Sequence, residues 1–443
     1  MLGFVSVLAE AEVAPRPAAL IAFNAANDRL AAEDENVFAR NGLVADRHSG
    51  EVHILAQTTG MTRSDPVEFL MVSPKSGHEY EALSVAFCAP GAVYEALAFL
   101  GLKPGRPLDP KALVFWPKGE RIQIEVSCRD TNLWTGRIPA ENLIRNAKAD
   151  AAMEASGFVF SGSSWVERDG ERAYLPDISE PHAIATLYNE PATVLDVPRQ
   201  AGQNALYDTL FPNPDYNAST NLLLDFYLIP EPGRNMDLNV VVVPAGTNLS
   251  SIGDLSFNLS GSPNVEPIVA PLAGLIEQFA NLAGKGKDPF VSLRFSETVP
   301  IDLVRQVCLV LSEIEGESGI RMEPPPNGQL YYKAFLPEER HRKREDRVSQ
   351  PWELRLYPSG STNVNVLTQI KETWADGQMR PTLEPVDHPI ETPGNLRSKL
   401  DELGPGLPVI LVFVPPELTH ETLLRFLTPV LKTHGVVHVY LEK

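Results

Sequence analysis

His78-Glu79, preceded by Ser76 and Gly77, is the polar pair in this sequence best suited to chemistry. An imidazole beside a hydroxyl can take its proton and make it a nucleophile, and Ser161 and Ser163 are the hydroxyls that fit. Adjacent residues on a strand point to opposite faces, so His78 and Glu79 meet only on a loop, which Ser76 and Gly77 favour. A hydrolase site also needs an orienting carboxylate and an oxyanion hole, and the sequence marks neither. The competing reading makes His78 and Glu79 turn residues that hydrogen-bond within the fold.

The second group with functional potential is Tyr331, Tyr332 and Phe335, in a stretch between two periodic regions. Such aromatics either anchor a partner or pack as a strap across the regions they join. Other residues carry less. His434 and His438 bracket the final strand and His48 and His53 an early hairpin-like turn, so neither pair falls on a helix, and no H-E-x-x-H, G-x-S-x-G or Walker A pattern occurs. Gly284-Lys285-Gly286-Lys287 lacks the remaining parts of a phosphate loop and reads as a connector. With three cysteines and no C-x-x-C, neither a disulfide framework nor a zinc or iron–sulfur site is expected. Cys308 falls on a helical face with Val304, Val307 and Leu311 and reads as core. Cys88 and Cys128 fall in strand-like stretches and are the one pair available for a disulfide. No metal and no cofactor is expected.

The elements that must position these residues follow from length and pattern. A chain of 443 residues suggests about three domains. Its 43% hydrophobic and 21% charged content is that of a globular protein, and its 39 prolines mark many turns and connectors. Residues 1–35 form an N-terminal segment in which Leu2 to Leu8, followed by Ala9-Glu10-Ala11, look like the end of a secretory signal. Residues 36–200 read as a mainly-β domain, with strand-like runs at 53–56, 67–72, 121–126, 158–160, 172–175 and 183–187. One helix opens near Pro90, places Val93, Leu97 and Leu100 on one face, and stops at Gly101. Residues 201–233 are expected to be a linker.

Beyond it a pattern occurs twice, at 234–323 and 350–443, separated by an aromatic and charged connector at 324–349. Each copy reads strand, turn, strand, helix, strand, helix, strand. The helices open at Pro271 and Pro393 and show Leu275, Ile276 and Phe279 in one copy and Leu396, Leu400 and Leu403 in the other. The second helices repeat the i, i+3, i+4, i+7 spacing as Val304, Val307, Cys308, Leu311 and as Leu423, Phe426, Leu427, Val430. The fold class expected is therefore multidomain α+β and α/β, with a mainly-β domain followed by a duplicated unit.

Two resemblances accompany these patterns. Asp65-Pro66-Val67-Glu68-Phe69-Leu70, Gly77-His78-Glu79, Leu100-Gly101-Leu102-Lys103-Pro104-Gly105, Phe160-Ser161-Gly162-Ser163 and Tyr174 resemble the YdjY-like domain of bacterial envelope proteins. The duplicated unit resembles the periplasmic domain of ExbD/TolR proteins, without the membrane helix through which that family couples to the proton gradient. Together they imply an exported, periplasmic protein, the alternative being a cytoplasmic one. The function expected is a non-catalytic scaffold that binds a protein or cell-wall partner. The alternative is a hydrolase working through His78, Glu79 and Ser163.

Charge narrows the partner. Thirty-eight Lys+Arg against 57 Asp+Glu give a formal net charge of −19, which repels phosphate backbones and anionic headgroups, so nucleic acid is not an expected partner. The basic run Arg340 to Arg344 is flanked by acids and reads as a solvated connector. No apolar run is long enough to span a bilayer.

Overall fold

The computed structural model describes residues 17–109, 114, 116–129, 134–216, 221–261, 265–318, 320–324, 329–334, 352–373, 382–403, 409–431 and 436–441. Strands predominate over helices in a mixed α/β chain that divides into two compact units, one reaching Pro232 and the other beginning at Gly233. The secretion-like segment at residues 1–16 and the basic run lie outside the described residues.

The first unit opens with helix α1 (Pro17–Glu33) and strands β1 (Val37–Arg40), β2 (Leu43–Asp46), β3 (Glu51–Thr58), β4 (Phe69–Val72) and β5 (Ala82–Ala86). Helix α2 (Pro90–Phe99) follows, then β6 (Glu120–Cys128), β7 (Ile138–Pro139), β8 (Ile144–Asn146), β9 (Ala151–Ala152) and β10 (Phe158–Phe160). The short hairpin β11 (Trp165–Arg168) and β12 (Glu171–Tyr174) leads through α3 (Leu175–Ile178) into β13 (Ala183–Thr186), β14 (Thr193–Asp196), β15 (Leu210–Pro212) and β16 (Leu223–Glu231).

Eight of these strands close into a ring in the order β3-β16-β6-β10-β14-β13-β4-β5, because β5 returns to pair with β3 at Ala56 to Thr58. The front half of that edge of β3 pairs with β2 instead. Closure removes the unpaired edges that an open sheet would present. Helix α2 starts with proline in its first turn, where a missing N–H costs nothing. It buries Val93, Ala96 and Leu97 and touches β2 and β3 as well as β13 and β14, so it lies across the ring.

The linker expected at 201–233 is corrected here. Leu223–Glu231 is a central strand that pairs along its length with both β3 and β6. Its Leu224, Phe226 and Leu228 are buried in the core of this unit.

The second unit holds two sheets. The first comprises β17 (Asn235–Pro244), β18 (Leu255–Gly261), β19 (Ile268–Ala270), β20 (Asp288–Phe295) and β21 (Arg321–Glu323), in the order β19-β18-β17-β20-β21. Helices α4 (Leu272–Gly284) and α5 (Ile301–Ser318) make its crossovers, with β17, β20 and β21 parallel. The second sheet comprises β22 (Leu330–Ala334), β23 (Trp352–Arg355), β24 (Asn365–Thr373), β25 (Thr382–Ile390), β26 (Val409–Val414) and β27 (Val436–Leu441). Its order is β22-β27-β26-β23-β24-β25, with α6 (Pro393–Leu403) and α7 (His420–Leu431) between its strands.

The helical spacing read from sequence is largely the buried face, although Ile276 is only half-buried and the Leu403 side chain lies outside the described residues. Leu275 and Phe279, Leu396 and Leu400, Val304 to Leu311 and Leu423 to Val430 supply the contacts, and both sheets share one hydrophobic core. Two features were not in the sequence reading. Edge strands β19 and β25 extend each sheet, and part of the connector is itself strand β22, parallel to β27.

Candidate functional site

A tight turn sets the environment of His78. The chain forms a single 3-10 turn at Glu79–Glu81 with His78 at its head. Three residues per turn place i and i+3 above one another, so the carboxylate that meets His78 is Glu81, with Nδ1 to Oε2 at 3.0 Å. Glu79 points elsewhere, as adjacency on a backbone dictates. The Tyr80 ring stacks on the imidazole at 5.8 Å, and Phe69 meets it edge-on at 6.2 Å.

Ser163 is engaged elsewhere. Its hydroxyl donates to the Pro191 carbonyl at 2.5 Å, and the buried Ser161 hydroxyl reaches the carbonyls of Thr193 and Val194. No hydrogen bond among the described residues joins His78 to either serine.

Around this turn the first unit buries several acids. Glu68 on the β4 side is 1% exposed and accepts from Gln203 at 2.8 Å and from the Tyr207 hydroxyl. That bond to Glu68, followed by desolvation, pushes the Tyr207 phenol up to about 12. Asp196 accepts from the Asn189 amide at 3.0 Å and from the Glu190 backbone, and burial holds its carboxyl well above the ordinary range. Burial likewise raises Glu190, whose carboxylate accepts from the Tyr188 hydroxyl and the Ala192 N–H. Each of these carboxylates is met by donors within the fold, as buried polar groups must be.

The exposed side of the turn is open. Tyr80 is 56% exposed, and beside it lies a hollow of about 480 Å³ lined by Thr59, Gly60, Met61, Asp65, Pro66, Glu79, Tyr80 and Glu81. Three of those residues are carboxylates and none is basic. Across Gly60 and Met61 a narrower apolar slot of about 30 Å³ runs between Trp134, Tyr216, Leu143 and Leu224. Trp134 and Tyr216 meet edge to face at 5.7 Å.

The aromatic residues of the second unit are placed differently. Tyr331 and Tyr332 are 2% and 6% exposed. The Tyr331 hydroxyl donates to the Met322 carbonyl at 2.7 Å, and the Tyr332 hydroxyl meets His420 Nε2 at 2.5 Å. Buried with their hydroxyls occupied, both hold the connector in the core and present no face to a partner. Phe335 lies outside the described residues.

Cys88, Cys128 and Cys308 are free thiols. Burial pushes the Cys88 thiol up to about 12 and raises that of Cys308, so both behave as packing groups. No cluster of His, Cys, Asp and Glu suited to a metal ion occurs among the described residues.

The first unit is thus a closed, strand-rich domain that buries its polar interior and offers an acid-walled hollow at one loop. Residues 43–172 match the model of the YdjY domain, within the region whose motifs carry that resemblance. No family match supports the ExbD/TolR resemblance at 234–323 and 350–443. Comparison with the curated proteins and with the solved structures gives no match to this chain.

Four of the residues that carry the YdjY resemblance, Gly105, Phe160, Gly162 and Tyr174, meet at one packed junction. The Gly105 N–H bonds the Phe160 carbonyl at 3.0 Å, and the Tyr174 hydroxyl bonds the Gly162 carbonyl at 3.1 Å. Tyr94 packs between Phe160, Trp165 and Tyr174. These contacts tie the hairpin β11-β12 and helix α2 to the ring.

Proposed function

We propose that this chain is a non-catalytic binding protein of the cell envelope, exported to the periplasm, whose ligand-facing surface is the open side of the YdjY domain. The observation that carries the reading is the division of labour around residues 76–81. The imidazole is tied to Glu81 and the Ser163 hydroxyl to a separate carbonyl, while Tyr80, Glu79 and Asp65 line an open hollow. A site of that size and polarity suits recognition. The buried Tyr331 and Tyr332 move the partner surface away from the connector, where the sequence had pointed.

In the same reading, residues 234–323 and 350–443 are two copies of one α/β unit acting as a scaffold. The support is the shared strand order: in each sheet the first strand lies between an antiparallel hairpin and a parallel strand reached through a helix. A resemblance to the ExbD/TolR periplasmic domain rests on that order of elements alone.

Crosslinked affinity purification of the full chain from its native host tests the assignment. The expected result is recovery of a defined protein or wall component, in an envelope fraction. Absence of any specific crosslinked species under conditions that capture known envelope complexes would reject it.

A further inference from the structure

We propose that the hollow beside Tyr80 and the apolar slot behind Gly60 form one docking site for a basic peptide segment of a protein partner, an arginine or lysine next to an apolar side chain. This rests on the binding reading above and names the partner's chemistry.

The two cavities share Gly60 and Met61 and sit on either side of the loop that leaves β3. They are complementary in character. The larger presents Asp65, Glu79 and Glu81 with no basic residue in its wall. Part of that charge is already answered, since Glu81 meets His78 and Asp65 accepts the Thr62 N–H at 2.6 Å. Glu79 is different: half-buried, it has no hydrogen-bond or ion-pair partner among the described residues. A cation entering the hollow completes it.

Tyr80 supplies the recognition face. Its ring is held by stacking on His78 yet stays 56% exposed. A guanidinium or ammonium group over such a ring gains cation–π attraction as well as the pull of the carboxylates. The slot is too small for an independent ligand and wide enough for the tip of an apolar side chain, with Trp134 and Tyr216 as its walls. A peptide supplies both groups on one backbone, which neither a free metal ion nor a simple amine does. The net charge of −19 also draws a basic segment toward this chain.

The test pans a randomised octapeptide library against the full-length protein, then measures the enriched peptides on Asp65→Asn/Glu79→Gln/Tyr80→Ala and on Tyr80→Ala alone. The altered side chains line an open hollow, so both variants should keep the thermal transition of the parent; Tyr80→Ala carries the test if the triple variant does not. Expected is enrichment of Arg or Lys beside an apolar residue, with about tenfold weaker binding to the triple variant and about threefold weaker binding to Tyr80→Ala. Enrichment without a basic residue, no enrichment at all, or equal affinity for parent and variants overturns the site. Crosslinking in the host separates this from the broader reading. A partner captured equally by parent and triple variant rejects the site and keeps the binding function, whereas no partner for either rejects the function.

Discussion

Gly105, Gly119 and Gly162 look unremarkable in sequence, yet each stands where a side chain has no room. A Cβ at Gly105 would sit 1.8 Å from the Lys118 carbonyl oxygen, and one at Gly119 2.1 Å from that of Phe160. At Gly162 it would strike Pro104, and φ of +73° adds backbone strain for any other residue. Gly105→Ala should therefore destabilise by about 3 kcal/mol through overpacking, whereas Gly202→Ala, with open space around it, should change stability by less than about 0.5 kcal/mol. Urea midpoints of the two variants decide this; a neutral Gly105→Ala would mean that the backbone there yields. His420 offers a second residue-scale prediction. The Val299 carbonyl can only accept, so His420 Nδ1 carries the proton and Nε2 accepts from Tyr332. Burial lowers the His420 pKa, against the opposing pull of the Val299 bond and of Glu297. The neutral form is thus favoured on folding. Its contribution is complete above the unfolded value near 6.5 and declines as pH falls below it toward the folded value. The stability gap between parent and His420→Asn should narrow from pH 8 to pH 5, and a constant gap would exclude this role. The site itself was half legible. His78 stood out as a polar residue after Ser-Gly, but its partner Glu81 becomes a neighbour only through a 3-10 turn that no sequence period announces. Glu68 gave no sign of burial, because its donors, Gln203 and Tyr207, come from a distant segment.

At the scale of elements, periodicity told the truth where neighbours in sequence decide burial. Val304, Val307, Cys308 and Leu311 line one face of α5 whatever the tertiary context, and the structure buries all four. Strand β16 failed that test. Leu223–Glu231 follows an Asn- and Pro-rich stretch, and its role depends on pairing with β3 some 170 residues earlier in the chain and with β6. Such non-local pairing has no local signature. The ladder also carries a polar clamp: Asp225 accepts from His53 at 2.7 Å and from Arg129 at 2.9 Å. Burial raises the Asp225 carboxyl, but these two partners outweigh it and leave it below its usual value. A chain ending at residue 200 lacks the strand, opens the ring between β3 and β6, and exposes the face that Phe226 and Leu228 cover. We expect 1–200 to show no cooperative melting transition by circular dichroism and 1–232 to show one. Cooperative melting of the shorter chain would mean that the ring closes without β16.

At the scale of the whole molecule, the compartment is the open question that most constrains the partner. No helix among the described residues is long and apolar enough to cross a membrane. Under the proposed export, the contacts of the described N-terminal helix survive processing. Cleavage after Ala11 would leave Glu12 as the first residue, ahead of α1, which begins at Pro17. Among the described residues, the first buried side chain is Phe23, packed on Leu55, Phe87 and Leu223. Asn24 then ties the helix to Asn41 and Gly42 at 2.7 and 2.9 Å. Processing at Ala11 would thus remove none of these contacts. The expected outcome is a native protein released by osmotic shock whose N-terminal peptide, read by mass spectrometry, begins at Glu12. Replacing Ala9 and Ala11 by bulky residues should leave the precursor uncleaved, because small side chains at these positions define the processing site. Recovery of intact Met1 in the cytoplasmic fraction would instead place the binding function, and any basic partner it meets, inside the cell.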